Sequence, residues 1–219
     1  MIRLENLSKT YVLQGASKVM ADQITMEFTS GASVALLGRN GAGKSTLMRM
    51  IAGGLSPDRG RIVLRGSVSW PVGFQGSFHP DLTGAQNSRF VARIYGVDTG
   101  ELLYFVEDFA GLGAHFHQPV RRYSAGMKAR LAFALSMGIH FDTYLIDEVT
   151  SVGDGAFRQK SQAVLRTRLQ QSGALIVSHS MEMIRALCQS GVVLEQGRLE
   201  YFDDIEAAIH QHNLNMGVG

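Results

Sequence analysis

The chain has 219 residues, with 21 basic and 19 acidic side chains and a formal charge of +2; this is enough for one α/β domain with its own core and too little for a second full domain. The basic residues are scattered, so nothing calls for a nucleic-acid or anionic-membrane surface. The single cysteine, Cys188, excludes an internal disulfide and reads as apolar filler in a helix. Short strands are predicted at residues 2–7 and 24–28, followed by a turn at Ser30-Gly31. Residues 33–37 form a compact apolar strand that runs into a glycine-rich loop. A helix over 44–52 follows, ended by Gly53-Gly54 and Pro57. Further short strands fall at 61–64 and 67–70.

Between about Thr83 and His140 the pattern turns helical. Helices are expected at 86–95, at 101–109 with Leu102, Phe105, Val106 and Phe109 on one face, and after Ser124. This reads as a helical subdomain over 83–140, inserted in a single domain spanning 1–219. Strand, helix, strand, helix then recur at 143–146, 154–171, 174–177 and 181–188, which is the rhythm of a parallel sheet. Residues 192–195 and 198–201 flank Gln196-Gly197 as a hairpin, and a helix from about Ile205 closes the chain. The longest apolar run, 131–139, contains Ser136 and Gly138 and falls short of the roughly 20 residues of a membrane span. Met1 to Tyr11 carries Arg3, Glu5 and Lys9 without the apolar centre of an export signal, so a cytosolic protein is expected.

Gly38, Arg39, Asn40, Gly41, Ala42, Gly43, Lys44, Ser45 and Thr46 match GxxxxGK[ST] between a strand and a helix, the context that this phosphate loop requires. Glycines let the backbone curl so that successive amides face a β-phosphate. Lys44 can reach the β- and γ-phosphates, and Ser45 can offer its hydroxyl to Mg²⁺. The apolar strand ending in Asp147 and Glu148 puts two acids at the carboxyl edge of the sheet, where ligands gather. Asp147 suits Mg²⁺, directly or through water, and Glu148 suits the polarisation of an attacking water. His179 follows the next apolar strand, 32 residues beyond Asp147, near the same sheet edge, where a neutral imidazole can donate to a γ-phosphate. Tyr11 ends the first strand and either stacks on adenine or packs.

Tyr123 to Met127 read YSAGM and open an apolar-periodic run of Met127, Leu131, Ala134, Leu135 and Gly138. Ser124 caps this helix, and the unpaired amides of its first turn offer a second place for an anion. Two such places suggest two subunits sharing one nucleotide.

With these pieces the chain resembles the nucleotide-binding subunits of ABC transporters. YSAGM stands as the LSGGQ-type signature, YLIDE as the Walker B strand, SVGD as the D-loop and His179 as the switch histidine. More narrowly, SWPVGFQGSF, LTGAQNSRFVARIYGV, RYSAGMKARLAFALSM and FDTYLIDEVTSVGD resemble the ATP-binding component of capsular polysaccharide exporters. The resemblance implies an ATPase with a mixed-sheet P-loop core, an N-terminal antiparallel β subdomain and an inserted helical subdomain. It implies a head-to-tail homodimer in which ATP lies between the phosphate loop of one copy and Ser124, Ala125 and Gly126 of the other, with Asp154 of the D-loop nearby. It further implies a separate membrane permease, a polysaccharide export complex, a place at the cytoplasmic face of the inner membrane, and no nucleic-acid partner. Relatives that export certain O-antigens append a carbohydrate-binding domain for which these residues leave no room.

Three positions depart from the common pattern: Ala125 replaces the first signature glycine, Val149 a proline, and Gly153 a leucine, the last two fitting the capsule-exporter variant. Gln75 is assigned as the Q-loop residue and a Mg²⁺ contact, with His79 as the competing position. A soluble ABC-type ATPase acting on ribosomes or DNA is the rival reading. A phosphoryl-transferring P-loop kinase leaves YSAGM and His179 without a role.

Overall fold

Ile2, Leu4 and Leu7 point one face of strand β1 (Ile2–Leu13) into the core, and their partner β2 (Ala16–Phe28) contributes Ala21, Ile24 and Phe28. A computed structural model of the chain describes residues 1–13, 15–76, 78–147 and 154–217. The β1–β2 hairpin is far longer than the two short strands expected at 2–7 and 24–28. Over Ala16–Gln23 β2 is exposed on nearly every residue, so no apolar alternation marks it, and its ladder to β1 holds it instead. Tyr11 therefore lies within β1 rather than at its end, directly opposite Lys18.

Strand β3 (Ser33–Leu37) has the predicted bounds and is buried from Val34 onward. It feeds helix α1 (Lys44–Ile51), after which β4 (Arg59–Leu64) pairs with the free edge of β1 and β5 (Val68–Pro71) opens the second sheet. Helices α2 (Gly84–Tyr95), α3 (Thr99–Ala110) and α4 (Ala125–Gly138) come next, with 3-10 turns at Gly113–His117 and Val120–Arg122. The remainder alternates: β6 (Thr143–Asp147), α5 (Gly155–Leu169), β7 (Gly173–Val177), α6 (Met181–Leu187), β8 (Ser190–Glu195), β9 (Arg198–Phe202) and α7 (Ile205–Met216).

The described chain divides into two compact units. The first takes in Met1–Pro71, residues 141–147 and the chain from Leu169 onward. It holds a three-stranded antiparallel sheet ordered β2-β1-β4 and a six-stranded sheet ordered β5-β6-β7-β3-β8-β9. The first five strands of the larger sheet are parallel, and β9 is antiparallel at its edge. Leu47, Met48, Met50 and Ile51 of α1 join the inner residues of both sheets in one core.

The predicted turn at Gln196-Gly197 has φ of 48° and 81°, the double left-handed pair that joins twisted antiparallel strands tightly. It also binds the smaller sheet, because the Asp22 amide donates to Gly197 O at 2.8 Å. Helix α7 lies close on β8, where a β-carbon at Gly191 would stand 2.7 Å from Ala208 Cβ. Cys188 falls one residue past α6 and is buried, which pushes its thiol up to about 12.

The second unit covers Val72–His140 and residues 154–168, so it extends beyond the 83–140 stretch at both ends. Thr83 caps α2 reciprocally with Gln86, Asp98 caps α3, and Gly96 and Gly111 end those helices in left-handed turns. Leu102, Val106 and Phe109 of α3 are buried as their spacing predicts, and Phe109 packs with Phe133 and Phe157. Helix α4 is buried on all sides from Leu131 to Met137. The mixed sheet, antiparallel sheet and helical insertion together form the expected α/β architecture.

Candidate functional site

Strands β6, β7 and β3 are neighbours and run the same way, so their carboxyl ends share one edge. Asp147 ends β6 opposite Val177, the last residue of β7; His179 lies exposed two residues further, and Gly38 follows β3. The first unit thus gathers Asp147, His179 and the phosphate loop at the place where parallel sheets receive ligands. His179 sits in a turn built by hydroxyls on either side of it. Ser178 Oγ accepts from Ser180 N, and Ser180 Oγ caps α6.

The loop's backbone needs its glycines: Gly38, Gly41 and Gly43 have φ of 151°, 77° and 114°. A β-carbon at Gly38 would stand 2.5 Å from Leu194 O, so β8 crowds the loop's entry. Gly43 supplies the N-cap of α1 without any side-chain bond, leaving the first-turn amides available to an anion. Lys44 Nζ donates to Gly38 O at 2.6 Å and Arg39 O at 3.1 Å, closing the loop on itself. Asn40, Lys44, Ser45 and Thr46 face Lys18 and Met20 of β2 across a cleft of about 210 Å³.

That second wall escaped sequence reasoning because the first half of β2 carries no hydrophobic period. Its signal was the pairing of Tyr11 with Lys18, which only the hairpin register reveals. Tyr11 itself is half-buried, with Lys9 Nζ 5.8 Å from its ring centroid.

Behind the loop, α7 brings His212 beside Lys44 and Glu195. Burial first, and the Lys44 charge second, pull the imidazole below its ordinary range, against an opposing pull from Glu195. His212 Nδ1 and Glu195 Oε2 are buried without a hydrogen-bond partner among the described residues.

The second unit holds the other candidates. Ser124 caps α4 as predicted: its Oγ accepts from Met127 N at 3.2 Å and its carbonyl from Lys128 N, leaving the amides of exposed Ala125 and Gly126 outside the helix ladder. Such a cap contributes about 1 kcal/mol. Tyr123, just before it, is anchored by a hydroxyl that donates to His115 O at 2.6 Å and accepts from the Gly84 amide.

Asp154 is engaged twice, its Oδ1 accepting from Phe157 N at 2.9 Å and its Oδ2 from Arg130. Gln75 is exposed and makes no side-chain hydrogen bond among the described residues. His79 is tied into its turn, its amide donating to Asn87 Oδ1 and its Nδ1 accepting from Asp81 N. Glu148, Val149 and Gly153 lie outside the described residues.

Among the described residues no group of three or more His, Cys, Asp or Glu could hold a metal. Ser45 and Asp147 nevertheless suit Mg²⁺, which protein sites commonly bind through one or two side chains plus substrate phosphates.

The ABC transporter family model matches residues 21–151. The capsule polysaccharide export ATP-binding protein CtrD of Neisseria meningitidis serogroup B is 43% identical over 213 residues, covering 97% of this chain and 99% of that protein. The polysialic acid transport ATP-binding protein KpsT of Escherichia coli is 42% identical over 217 residues, covering 98% and 97%. A solved dimeric ATP-binding cassette, in a post-hydrolysis state with ADP and Pi, matches with a TM-score of 0.77 at 19% identity, over 94% of this chain and 99% of that one; it bears on the fold alone. The chain belongs to the ABC transporter family, among the ATP-binding proteins of capsule polysaccharide export.

Proposed function

We propose that this chain is the ATP-binding and ATP-hydrolysing subunit of a transporter that exports a capsular or related cell-surface polysaccharide across the inner membrane. The observation that carries the reading is the phosphate loop standing beside Asp147 and the residues after β7 on one sheet edge, in a chain 43% identical to a capsule export ATP-binding protein along nearly its whole length.

In this reading the loop amides and Lys44 hold the β- and γ-phosphates, and Tyr11 carries the adenine. Ser45, Asp147 and Gln75 hold Mg²⁺, which when bound neutralises phosphate charge. Glu148 polarises the attacking water, and His179 donates to the γ-phosphate. A second copy, arranged head to tail, presents Ser124, Ala125 and Gly126 to that phosphate and brings Asp154 to the shared boundary. The free side chain of Gln75, against the engaged ring of His79, supports Gln75 as the Q-loop residue.

Among the described residues no helix is long and apolar enough to cross a membrane. The reading therefore seats the homodimer peripherally at the cytoplasmic face, beneath a separate permease within a polysaccharide export complex.

The test is deletion of the chain in its host, followed by locating the surface glycan. Polymer trapped in the cytoplasm supports the reading; normal surface polymer overturns it.

A further inference from the structure

We propose that Lys18 is a second phosphate-binding cation of the nucleotide site, reading the α- and β-phosphates from the β2 side of the cleft. The inference rests on the ATP-binding reading above. A β-carbon at Gly41 would stand 3.2 Å from Lys18 Nζ, so the ammonium lies over the middle of the phosphate loop. Lys44, by contrast, is held at the loop's beginning by Gly38 O and Arg39 O. The two cations line the same cleft, and no acidic side chain lines it with them. Lys18 is exposed and makes no ion pair or hydrogen bond among the described residues. A solvated lysine usually keeps company with a carboxylate or with water; this one faces backbone amides that already favour an anion.

Its position along the nucleotide follows from the hairpin register. Tyr11 and Lys18 are directly opposite, so their side chains emerge on the same face of the ribbon. Lys18 thus stands between the adenine platform of the proposed site and the loop, nearest the phosphates that adjoin the nucleoside. Met20, two residues on, keeps β2 against the loop, since a β-carbon at Gly43 would stand 3.0 Å from its carbonyl oxygen. The site accordingly grips both ends of the polyphosphate, with Lys44 toward the γ end and Lys18 toward the α end.

Calorimetric titration of the full chain with ADP and with a non-hydrolysable ATP analogue tests this. Lys18→Met keeps the length of the side chain and removes its charge. It should weaken both nucleotides about tenfold, the scale of one charge-assisted hydrogen bond. Lys18→Arg should restore most of that loss, and the difference between wild type and Lys18→Met should shrink as salt is raised. Wild-type binding with less than a twofold change for Lys18→Met overturns this inference alone, as does weakening of the ATP analogue without weakening of ADP. Absence of ATP binding by the wild-type chain overturns both the inference and the reading beneath it. Melting temperature identifies any variant that has lost its fold, and Lys18→Gln then serves as the second charge-removing variant.

Discussion

The Arg130 guanidinium on α4 donates to Asp154 Oδ2 at 2.5 Å, joining the helix that Ser124 opens to the residue just before α5. The same guanidinium stands 5.0 Å above the Phe157 ring, and Phe157 N returns a bond to Asp154 Oδ1. The Phe157 amide and the Arg130 charge hold the Asp154 carboxyl below its ordinary range. Arg130→Met should cost little stability through the ion pair itself, because the Asp154 side chain is 64% exposed. Turnover should fall severalfold, more than denaturant melts alone would predict, if this link aligns the signature helix with the D-loop. Unchanged ATP hydrolysis by Arg130→Met would remove the link from function.

Gly84 leaves no room for a side chain. A β-carbon there would stand 2.5 Å from the Tyr123 hydroxyl and 2.9 Å from Phe116 Cδ2. Gly84→Ala should destabilise by about 1–3 kcal/mol through overpacking. It should also disturb ATP turnover, because Tyr123 is the residue that precedes the Ser124 cap. Tyr123→Phe removes only the hydroxyl bonds and should cost about 1 kcal/mol. Urea unfolding of the two variants checks the order of these effects.

The pH dependence of stability should have two parts. In the unfolded chain His212 titrates near 6.5, and folding lowers that value by burial and by the nearby Lys44. Stability is therefore full above about 6.5 and is lost as pH falls through the lower folded value, where the unfolded chain binds the extra proton. His212→Gln should flatten the stability profile just below about pH 6.5, where the unfolded imidazole begins to take up its proton. A second loss belongs to Glu5, Asp58 and Glu206, whose carboxyls Arg61, Lys9 and Arg185 respectively hold below the ordinary range. This loss sets in only at lower pH and should persist in His212→Gln. An unaltered slope just below about pH 6.5 in that variant would show that another group governs it.

Glu148→Gln should retain ATP binding while turnover drops by about 10² to 10⁴, the value of a positioned base, and should favour the closed dimer. Stopped ATP hydrolysis with a larger species in size-exclusion chromatography is the expected pair of results. Unchanged turnover would take Glu148 out of the role of base.

Elements whose signals are local were legible from the residues alone. β3 was readable because Val34 to Leu37 are all buried and glycines follow. α1 was readable because its start coincides with a motif that demands a helix there. α4 was readable because Ser124 caps it and apolar residues recur behind. Residues 16–23 were not, since a stretch exposed at all but Met20 and Ala21 shows no apolar period and is defined by its partner. Lys18 depended on that register, and His212 on the packing of α7 over β8. Each becomes visible only when two distant segments meet.

The Asp22–Gly197 hydrogen bond, together with Val19 Cγ1 standing 3.1 Å from where a Gly197 β-carbon would be, fastens the β1–β2 ribbon to the tip of the β8–β9 hairpin. A free ribbon of this length would flap at its base. This one is braced partway along, close to Lys18 and Met20, so an incoming nucleotide meets a wall already standing. The ordering cost of about 0.5–1.5 kcal/mol per immobilised side chain is then confined to the side-chain tips rather than charged to thirteen residues of backbone. A substitution at the distant turn, Gly197→Val for example, would loosen the brace and tax nucleotide affinity without touching any group that contacts the ligand.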